Sequence, residues 1–279
     1  MIVTHKIEGA FTINPDMHGT WYEWKMNNFP ALDQGLARDA LHSLATLAPY
    51  LAGPKATAIE RAVLTQTVEC VRPLLVATDD ERASSIEATP GSADTKASPM
   101  PSAVSTALTH SVPLMKNPLF PSELAPRFED IESWDAITQV SPTHRPDGHR
   151  TFNALMNSLL ILTTWPCDQV MHLMSPSNKV GNVVMAHFCC VRFIVSPLAA
   201  PDSAMKTPMK ALVEWCERVV DAVEDDEEVQ WTKLVEWPQK ILTTMRCCVN
   251  QNSALTFQDL YDVLVNDPSV FREGRLCRL

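Results

Sequence analysis

The spacing of apolar residues is the feature that most constrains how this chain can fold. Steps of three and four recur in nearly every apolar segment, and this period matches the turn of an α-helix. Glycine is scarce, with 8 residues in 279, and no Asn-Gly or Asp-Gly pair joins two alternating runs. The sequence therefore predicts an all-α fold, a bundle of antiparallel helices with essentially no sheet. The first periodic run holds Leu36, Ala40, Leu44, Leu47 and Leu51.

A second apolar stripe follows closely, and it opens with a helix-start signal. Thr57 and Glu60 have the spacing of a capping box, in which each side chain bonds the backbone N–H of the other residue. Ile59 and Val63 then continue one apolar face. Two short-linked helices of this kind pack as an antiparallel pair. We therefore expect residues 1–77 to form an N-terminal helical block.

Residues 78–112 differ from their surroundings in composition. They are rich in Ala, Ser, Thr, Pro and Asp and hold few large apolar residues. Such a stretch buries too little apolar surface to offset the entropy lost on ordering. We expect a disordered or flexible insertion there. A C-terminal helical block should then occupy residues 113–279 and form one domain with the first block.

The C-terminal block carries the remaining helical patterns. One predicted helix is apolar almost all round and is therefore expected to be central. Its apolar residues are Phe152, Leu155, Met156, Leu159, Leu160 and Leu162. A Ser-Pro pair at 175–176 is expected to open a further helix, and another at 196–197 to close it. Apolar residues three apart predict a short helix over 128–137, and Thr256 can cap the last helix.

Charge and hydropathy argue against two classes of partner. Lys and Arg total 23 against 33 Asp and Glu, a formal net charge of -10. The chain therefore has no excess of positive charge that would attract it to nucleic-acid phosphates or to anionic lipid. The longest apolar run is too short to span a bilayer, and no basic segment leads into an apolar run at the start. We expect no direct nucleic-acid binding, no membrane insertion and an intracellular location in the nucleus or cytoplasm.

The cysteines favour neither a disulfide framework nor a metal site. They are scattered, lie mostly in apolar segments and include two adjacent pairs, which is typical of buried thiols in a reducing compartment. No pair has the Cys-x-x-Cys spacing that lets two thiolates reach one zinc ion. We expect no metal and no cofactor. The eight positions are Cys70, Cys167, Cys189, Cys190, Cys216, Cys247, Cys248 and Cys277.

Three segments occur in an order that is familiar from one family. They read Leu-Leu-Ile-Leu-Thr-Thr-Trp-Pro at 159–166, Asn-Val-Val-Met-Ala-His-Phe at 182–188 and Val-Glu-Trp-Pro at 235–238. Together they resemble the C-terminal half of the regulatory domain of fungal zinc-cluster transcription factors. The leucine- and alanine-rich segment at 36–48 is similar to the first helix of that domain. The resemblance implies the helical fold of that domain.

The chain differs from this family in a feature that bears on its expected function. Such regulators carry a DNA-contacting zinc cluster and a basic linker before the regulatory domain, and this chain has neither. The resemblance then implies transcription regulation without direct DNA contact. We expect a regulatory or effector-binding protein of fungal secondary metabolism, with a hydrophobic small molecule or a partner protein as its ligand.

Four residues are candidates for a ligand-binding cavity. The tryptophans could line an apolar pocket, although core packing explains them as well. The histidine lies within an apolar helix, where it could act as an acid or base or bond a ligand. A lone histidine in this setting is more often a core residue with its hydrogen bonds satisfied. The candidates are Trp165, His187, Trp215 and Trp237.

An enzyme is the alternative interpretation. The sequence has no Gly-x-Gly-x-x-Gly, no phosphate loop, no Gly-x-Ser-x-Gly and no His-Glu-x-x-His. A cofactor-free cyclase or isomerase needs none of these motifs, because proximity and orientation alone can supply about 7 to 11 kcal/mol of a barrier. Such an enzyme would reuse the helical fold to shape an apolar natural-product intermediate.

Overall fold

A computed structural model describes residues 32–53, 56–76, 146–199, 209–224 and 229–275. Most of these residues are helical and none lies in a β-sheet, in agreement with the predicted all-α class. A 3-10 turn, Arg72–Leu74, follows the third helix. The α-helices in chain order are α1 Gln34–Ala45, α2 Ala48–Leu51, α3 Ala58–Val71, α4 Gly148–Thr164, α5 Cys167–Leu173, α6 Lys179–Ala199, α7 Met209–Glu224, α8 Val229–Leu234, α9 Glu236–Gln251, α10 Phe257–Asn266 and α11 Ser269–Glu273.

Two sequence expectations fall outside the described residues. The flexible insertion at 78–112 is one, and the short helix at 128–137 is the other. Both remain predictions from composition and periodicity.

The capping box predicted at the start of α3 is present and extends to a second helix. The Thr57 backbone N–H donates to Glu60 Oε2 at 2.7 Å, and the Glu60 N–H donates to Thr57 Oγ1. The other Glu60 oxygen accepts from Asn178 Nδ2 at 2.7 Å. Glu60 is buried, yet both carboxylate oxygens have donors, as a buried acid requires. This carboxylate ties the start of α3 to the start of α6. Thr256 likewise caps α10.

The ends of α6 differ from those predicted at the two Ser-Pro pairs. The capping residue is Asn178, whose Oδ1 accepts from the Gly181 N–H at 3.0 Å. The helix also continues past Pro197 to Ala199. A proline in the last turn removes only one intrahelical hydrogen bond, so its cost is smaller than in a long helix interior.

The buried apolar side chains of the N-terminal and C-terminal blocks form one hydrophobic cluster. Helix α3 packs along both α4 and α6, and α6 packs along α7, which in turn contacts α9. Every residue from 181 to 191 is buried, so α6 is the central helix. Helix α4 buries Leu155 but leaves its other predicted apolar residues only partly buried, which corrects the expectation that this helix is central. These residues are Phe152, Met156, Leu159, Leu160 and Leu162.

Helix α6 also bears on the question of a membrane. Residues Lys179–Leu198 are long and apolar enough to cross a bilayer by length and composition, but 89% of the most apolar stretch is buried against other helices. This burial is that of the core helix of a soluble protein.

The seven cysteines that the structure describes divide into three environments, and this corrects the expectation that they are all buried thiols; Cys277 lies outside the described residues. Cys248 is disulfide-bonded, whereas Cys167 is an exposed thiol and Cys247 is only partly exposed. Sequence spacing could not identify the disulfide, because pairing depends on which helices meet. The buried free thiols are Cys70, Cys189, Cys190 and Cys216.

Candidate functional site

An apolar cleft lies where the N-terminal block meets the start of the central helix. It encloses about 10 Å³, room for about one water molecule, and opens between α2, α6 and α8. Its walls are almost wholly aliphatic and aromatic. The lining residues are Leu47, Tyr50, Leu51, Val180, Val183, Val184, Trp231 and Leu234.

Two aromatic rings stand at the solvent side of this cleft. Tyr50 and Trp231 are each half-buried, and their ring centroids lie 5.4 Å apart with the planes tilted by 41°. Leu51 and Leu234, which also line the cleft, are buried. Aromatic pairs at this separation attract each other beyond the area they bury. The pair therefore forms a defined rim.

A serine and a histidine are paired close to the cleft. Ser43 Oγ lies 2.8 Å from His187 Nε2, and His187 Nδ1 lies 2.8 Å from the Val183 carbonyl oxygen. A carbonyl only accepts, so Nδ1 carries the proton and donates, while Nε2 accepts from the serine hydroxyl. Because Val183 also lines the cleft, the pair lies about one helical turn from its wall.

Burial fixes the charge of this histidine. His187 is completely buried, and desolvation lowers its pKa from the ordinary 6.5 to about 4, against a smaller raising effect of the Val183 hydrogen bond. At neutral pH the ring is therefore uncharged with both nitrogens satisfied. This matches the interpretation of a satisfied core histidine more closely than that of a free acid or base.

Trp237 covers the histidine ring and brings an unused donor. The two rings are stacked, with centroids 5.7 Å apart and an interplanar angle of 23°. The indole ring is buried, and its Nε1–H has no acceptor among the residues that the structure describes. A buried donor without a partner costs roughly 1 to 3 kcal/mol. Such an N–H can donate to an oxygen atom of a ligand or of a water molecule that reaches it.

Of the four candidate residues, the structure shows two in contact with each other. His187 and Trp237 are in contact, and both lie beside the cleft rather than in its wall. Trp165 ends α4, where its indole N–H donates to Gln169 Oε1. Trp215 is half-buried on α7 and does not line the cleft.

Sequence reasoning missed three residues of this region. Ser43 lies on the apolar stripe of α1 between Ala40 and Leu47, and a polar residue on such a face signals a buried partner. Tyr50 lies between Leu47 and Leu51 at the end of the first apolar run, and Trp231 lies in a segment of mixed polarity. Their meeting depends on the packing of α2 against α8, which no local pattern reports.

The lining of the cleft can bind apolar groups. Ligand pockets usually measure about 300 to 1,000 Å³, so a ring or an alkyl group can enter this cleft only if its walls move apart. Within the described ranges, no three His, Cys, Asp or Glu side chains lie close enough to hold a metal ion. Tyr50 supplies the one hydroxyl of the lining.

Comparison of the chain with known protein families, with curated proteins and with solved structures finds no match in any of the three. The case for a function therefore depends on the residues and their geometry.

Proposed function

We propose that this chain is a regulatory, effector-binding protein that takes a small hydrophobic molecule in the cleft between α2, α6 and α8. The sequence resemblance to fungal regulators suggests transcription-related control of a metabolic pathway, exerted without direct DNA contact. The net charge of -10 supports the absence of DNA contact, since duplex binding draws on excess positive charge.

The observation that carries this proposal is the aromatic rim over an aliphatic cleft at the junction of the two blocks. The cleft is lined by residues of α2 from the first block and of α6 and α8 from the second. A ligand that fills it would contact both blocks at once. If the ligand binds one packing of these helices better than another, it shifts their populations, which is what an effector must do.

The enzyme alternative has less support from the same geometry. A cyclase or isomerase needs an acid or base that can reach the substrate. His187 uses both ring nitrogens inside the protein, and its pKa of about 4 makes it a weak base at neutral pH. The Tyr50 hydroxyl is the remaining polar group of the lining.

Thermal unfolding with small apolar probes tests the proposal. Toluene, indole and cyclohexanol are small apolar probes that can enter once the walls of the cleft move apart, and a ligand at one hundred times its Kd stabilises the folded state by about 2.7 kcal/mol. Val180→Phe places a ring in the cleft, so we expect it to abolish the rise in Tm. Val265→Phe, at an exposed position on α10, is the matched control and should keep the full response.

Compounds recovered from fungal extract with the wild-type protein then separate the two functions. An unchanged compound identified by mass spectrometry supports the effector role, and a converted product supports the enzyme. No rise in Tm with any probe, or an equal rise in both variants, would mean that the cleft binds nothing and that a protein-protein role is the better interpretation.

A further inference from the structure

The Ser43–His187 pair has the geometry of a nucleophile and its general base. Ser43 Oγ lies 2.8 Å from His187 Nε2, within the range of roughly 2.6 to 3.2 Å expected of such a pair. The other ring nitrogen is held in turn, because Nδ1–H donates to the Val183 carbonyl oxygen at 2.8 Å. This bond fixes the tautomer in which Nε2 can take the hydroxyl proton. The three groups therefore serve as nucleophile, base and orienting acceptor.

The two side chains differ in burial in the way that acyl transfer requires. Ser43 is half-buried near the end of α1, so a molecule in solution can approach it. His187 is completely buried, so solvent does not compete with the serine for Nε2. A cyclase or isomerase needs a base that touches the substrate, whereas in acyl transfer only the serine has to bond it. The burial of His187 therefore counts against the first kind of enzyme and not against the second.

Trp237 supplies a second, independent observation at the pair. Its ring stacks on the His187 ring with centroids 5.7 Å apart, which restrains the imidazole. Trp237 is only 8% exposed, and its indole N–H has no acceptor among the described residues. Acyl transfer develops negative charge on the carbonyl oxygen, and one N–H donor to this oxygen is worth a factor of about 100 to 1,000 in rate. An unpartnered donor beside the base therefore points to a ligand oxygen.

We propose that Ser43 is a nucleophile that accepts the acyl group of a small activated ester, with His187 as its general base. The Oγ–H proton passes to His187 Nε2 as Oγ bonds the carbonyl carbon of the ester. The bond from that carbon to the leaving oxygen then breaks, and Nε2–H gives the proton to the departing alcohol. The products are acyl-Ser43 and the alcohol. Water then hydrolyses the acyl-serine by the same two steps and releases the carboxylic acid.

The cavity next to the pair favours a short acyl group. Leu47 follows Ser43 by one helical turn and Val183 precedes His187 by one, and both line the cleft. The cleft encloses about 10 Å³, room for about one water molecule. A long acyl chain would therefore have to force its walls apart. We expect an acetyl ester to react faster than an octanoyl ester.

Labelling with a fluorophosphonate tests the nucleophile. Oγ of an activated serine bonds the phosphorus of this reagent, fluoride leaves and the base takes the proton. Peptide mass spectra should show the label on Ser43 in the wild type and its loss in Ser43→Ala. His187→Gln should slow the labelling by about a hundredfold or more. Ser177→Ala is the matched control and should be labelled as the wild type is, because Ser177 is an exposed serine paired with another serine.

A nitrophenyl ester tests acyl transfer itself. With p-nitrophenyl acetate we expect a burst of about one equivalent of nitrophenol for each wild-type molecule, followed by slow turnover, because a weak base activates water poorly. Trp237→Phe keeps an apolar ring and removes the indole donor, so its burst should be about tenfold slower or more. The burst with p-nitrophenyl octanoate should be slower than with the acetate.

A pH profile of the wild type alone does not depend on whether a variant folds. Burial lowers the pKa of His187 to about 4, and the Val183 hydrogen bond opposes this shift. The side chains that contact the ring are Ser43 from α1 and Trp237 from α9, and neither titrates below neutral pH. The labelling rate should therefore rise through about pH 4 and then stay level to neutral pH. A serine without a base would react about tenfold faster with each pH unit, because only its alkoxide attacks.

This proposal goes beyond the effector role and does not rest on it. Acylation of Ser43 does not require a ligand in the cleft, so failure of the small apolar probes to raise the Tm would leave it standing. Equal labelling of Ser43 and Ser177, an unchanged rate in His187→Gln or the absence of a burst would each overturn it. A labelling rate that climbs steadily with pH would overturn the role of His187. An octanoyl ester that reacts as fast as the acetyl ester would overturn the choice of a short acyl group.

Discussion

At the scale of single residues, polar groups in the core are held by specific partners, and the exceptions are few. His187 and Glu60 are both buried, and each has a hydrogen bond at every polar side-chain atom. The buried atoms without partners in the described part belong to Arg72, Thr151 and Trp237. Partnered groups hold helices in register, whereas unpartnered ones mark positions where water or a ligand could bind.

The titration of His187 makes stability depend on pH. Its folded pKa of about 4 lies below the 6.5 of an unfolded chain, so between these values the unfolded state binds more protons. The full contribution of His187 is therefore present above pH 6.5 and is lost as the pH falls through 4. The difference corresponds to roughly 3 kcal/mol. Urea unfolding between pH 4 and 7.5 should show this loss.

His187→Gln removes the titration and should flatten the pH profile, even if the variant is less stable throughout. His42→Gln is the matched control, since His42 is exposed on α1 and should leave the profile as in the wild type. A wild-type profile with the same slope as that of His187→Gln would contradict the buried neutral ring.

At the scale of helices, the start of α6 is the most constrained junction. Asn178 caps the helix, Glu60 holds the Asn178 amide, and Gly181 lets the turn approach the end of α5. A Cβ on Gly181 would lie 2.4 Å from the Leu173 carbonyl oxygen and 2.6 Å from Asn178 Nδ2. Both distances are far shorter than van der Waals contact.

Gly181→Ala should therefore destabilise the fold by about 2 kcal/mol, within the usual range for overpacking, although alanine is the better helix former. The free energy of unfolding in urea measures this change. Gly53→Ala is the matched control, because its Cβ would meet the Tyr50 carbonyl at an ordinary 3.6 Å. A neutral or stabilising Gly181→Ala would show that α5 and α6 do not approach this closely.

At the scale of the whole molecule, the two blocks depend on each other. Helix α3 is covered by α4 and α6, and the Arg150 guanidinium bonds Glu69 across the α3–α4 contact. Neither block buries its apolar stripes alone, because the core is one cluster. The two blocks are separated in the sequence, yet their buried apolar side chains form one continuous core.

Limited proteolysis tests this dependence. Composition predicts that protease cuts first within residues 78–112. We expect the two fragments to stay associated after cutting and to elute from a sizing column with the intact protein, because separation would expose the shared core. Elution as two smaller species would contradict the shared core. Uniform resistance of residues 78–112 to the protease would contradict the flexible insertion.

The sequence by itself determined the secondary structure and several helix starts. The periodic stripes of α1 and α3, the capping box at Thr57 and the N-cap at Thr256 are local patterns, and local patterns act within a few residues. The same reasoning failed at the Ser-Pro pairs around α6. There, Asn178 replaced Ser175 as the cap because its amide also bonds Glu60, which lies 118 residues away in the chain.

Only the tertiary structure decided which residues meet. The sequence marked His187 and Trp237 as candidates, and packing placed them together but assigned the cleft wall to Tyr50, Trp231 and their aliphatic neighbours. The Cys248 disulfide is likewise invisible in sequence. The physical reason is that a side chain's charge balance and partners depend on residues brought near it by folding, and a one-dimensional pattern contains no such distances.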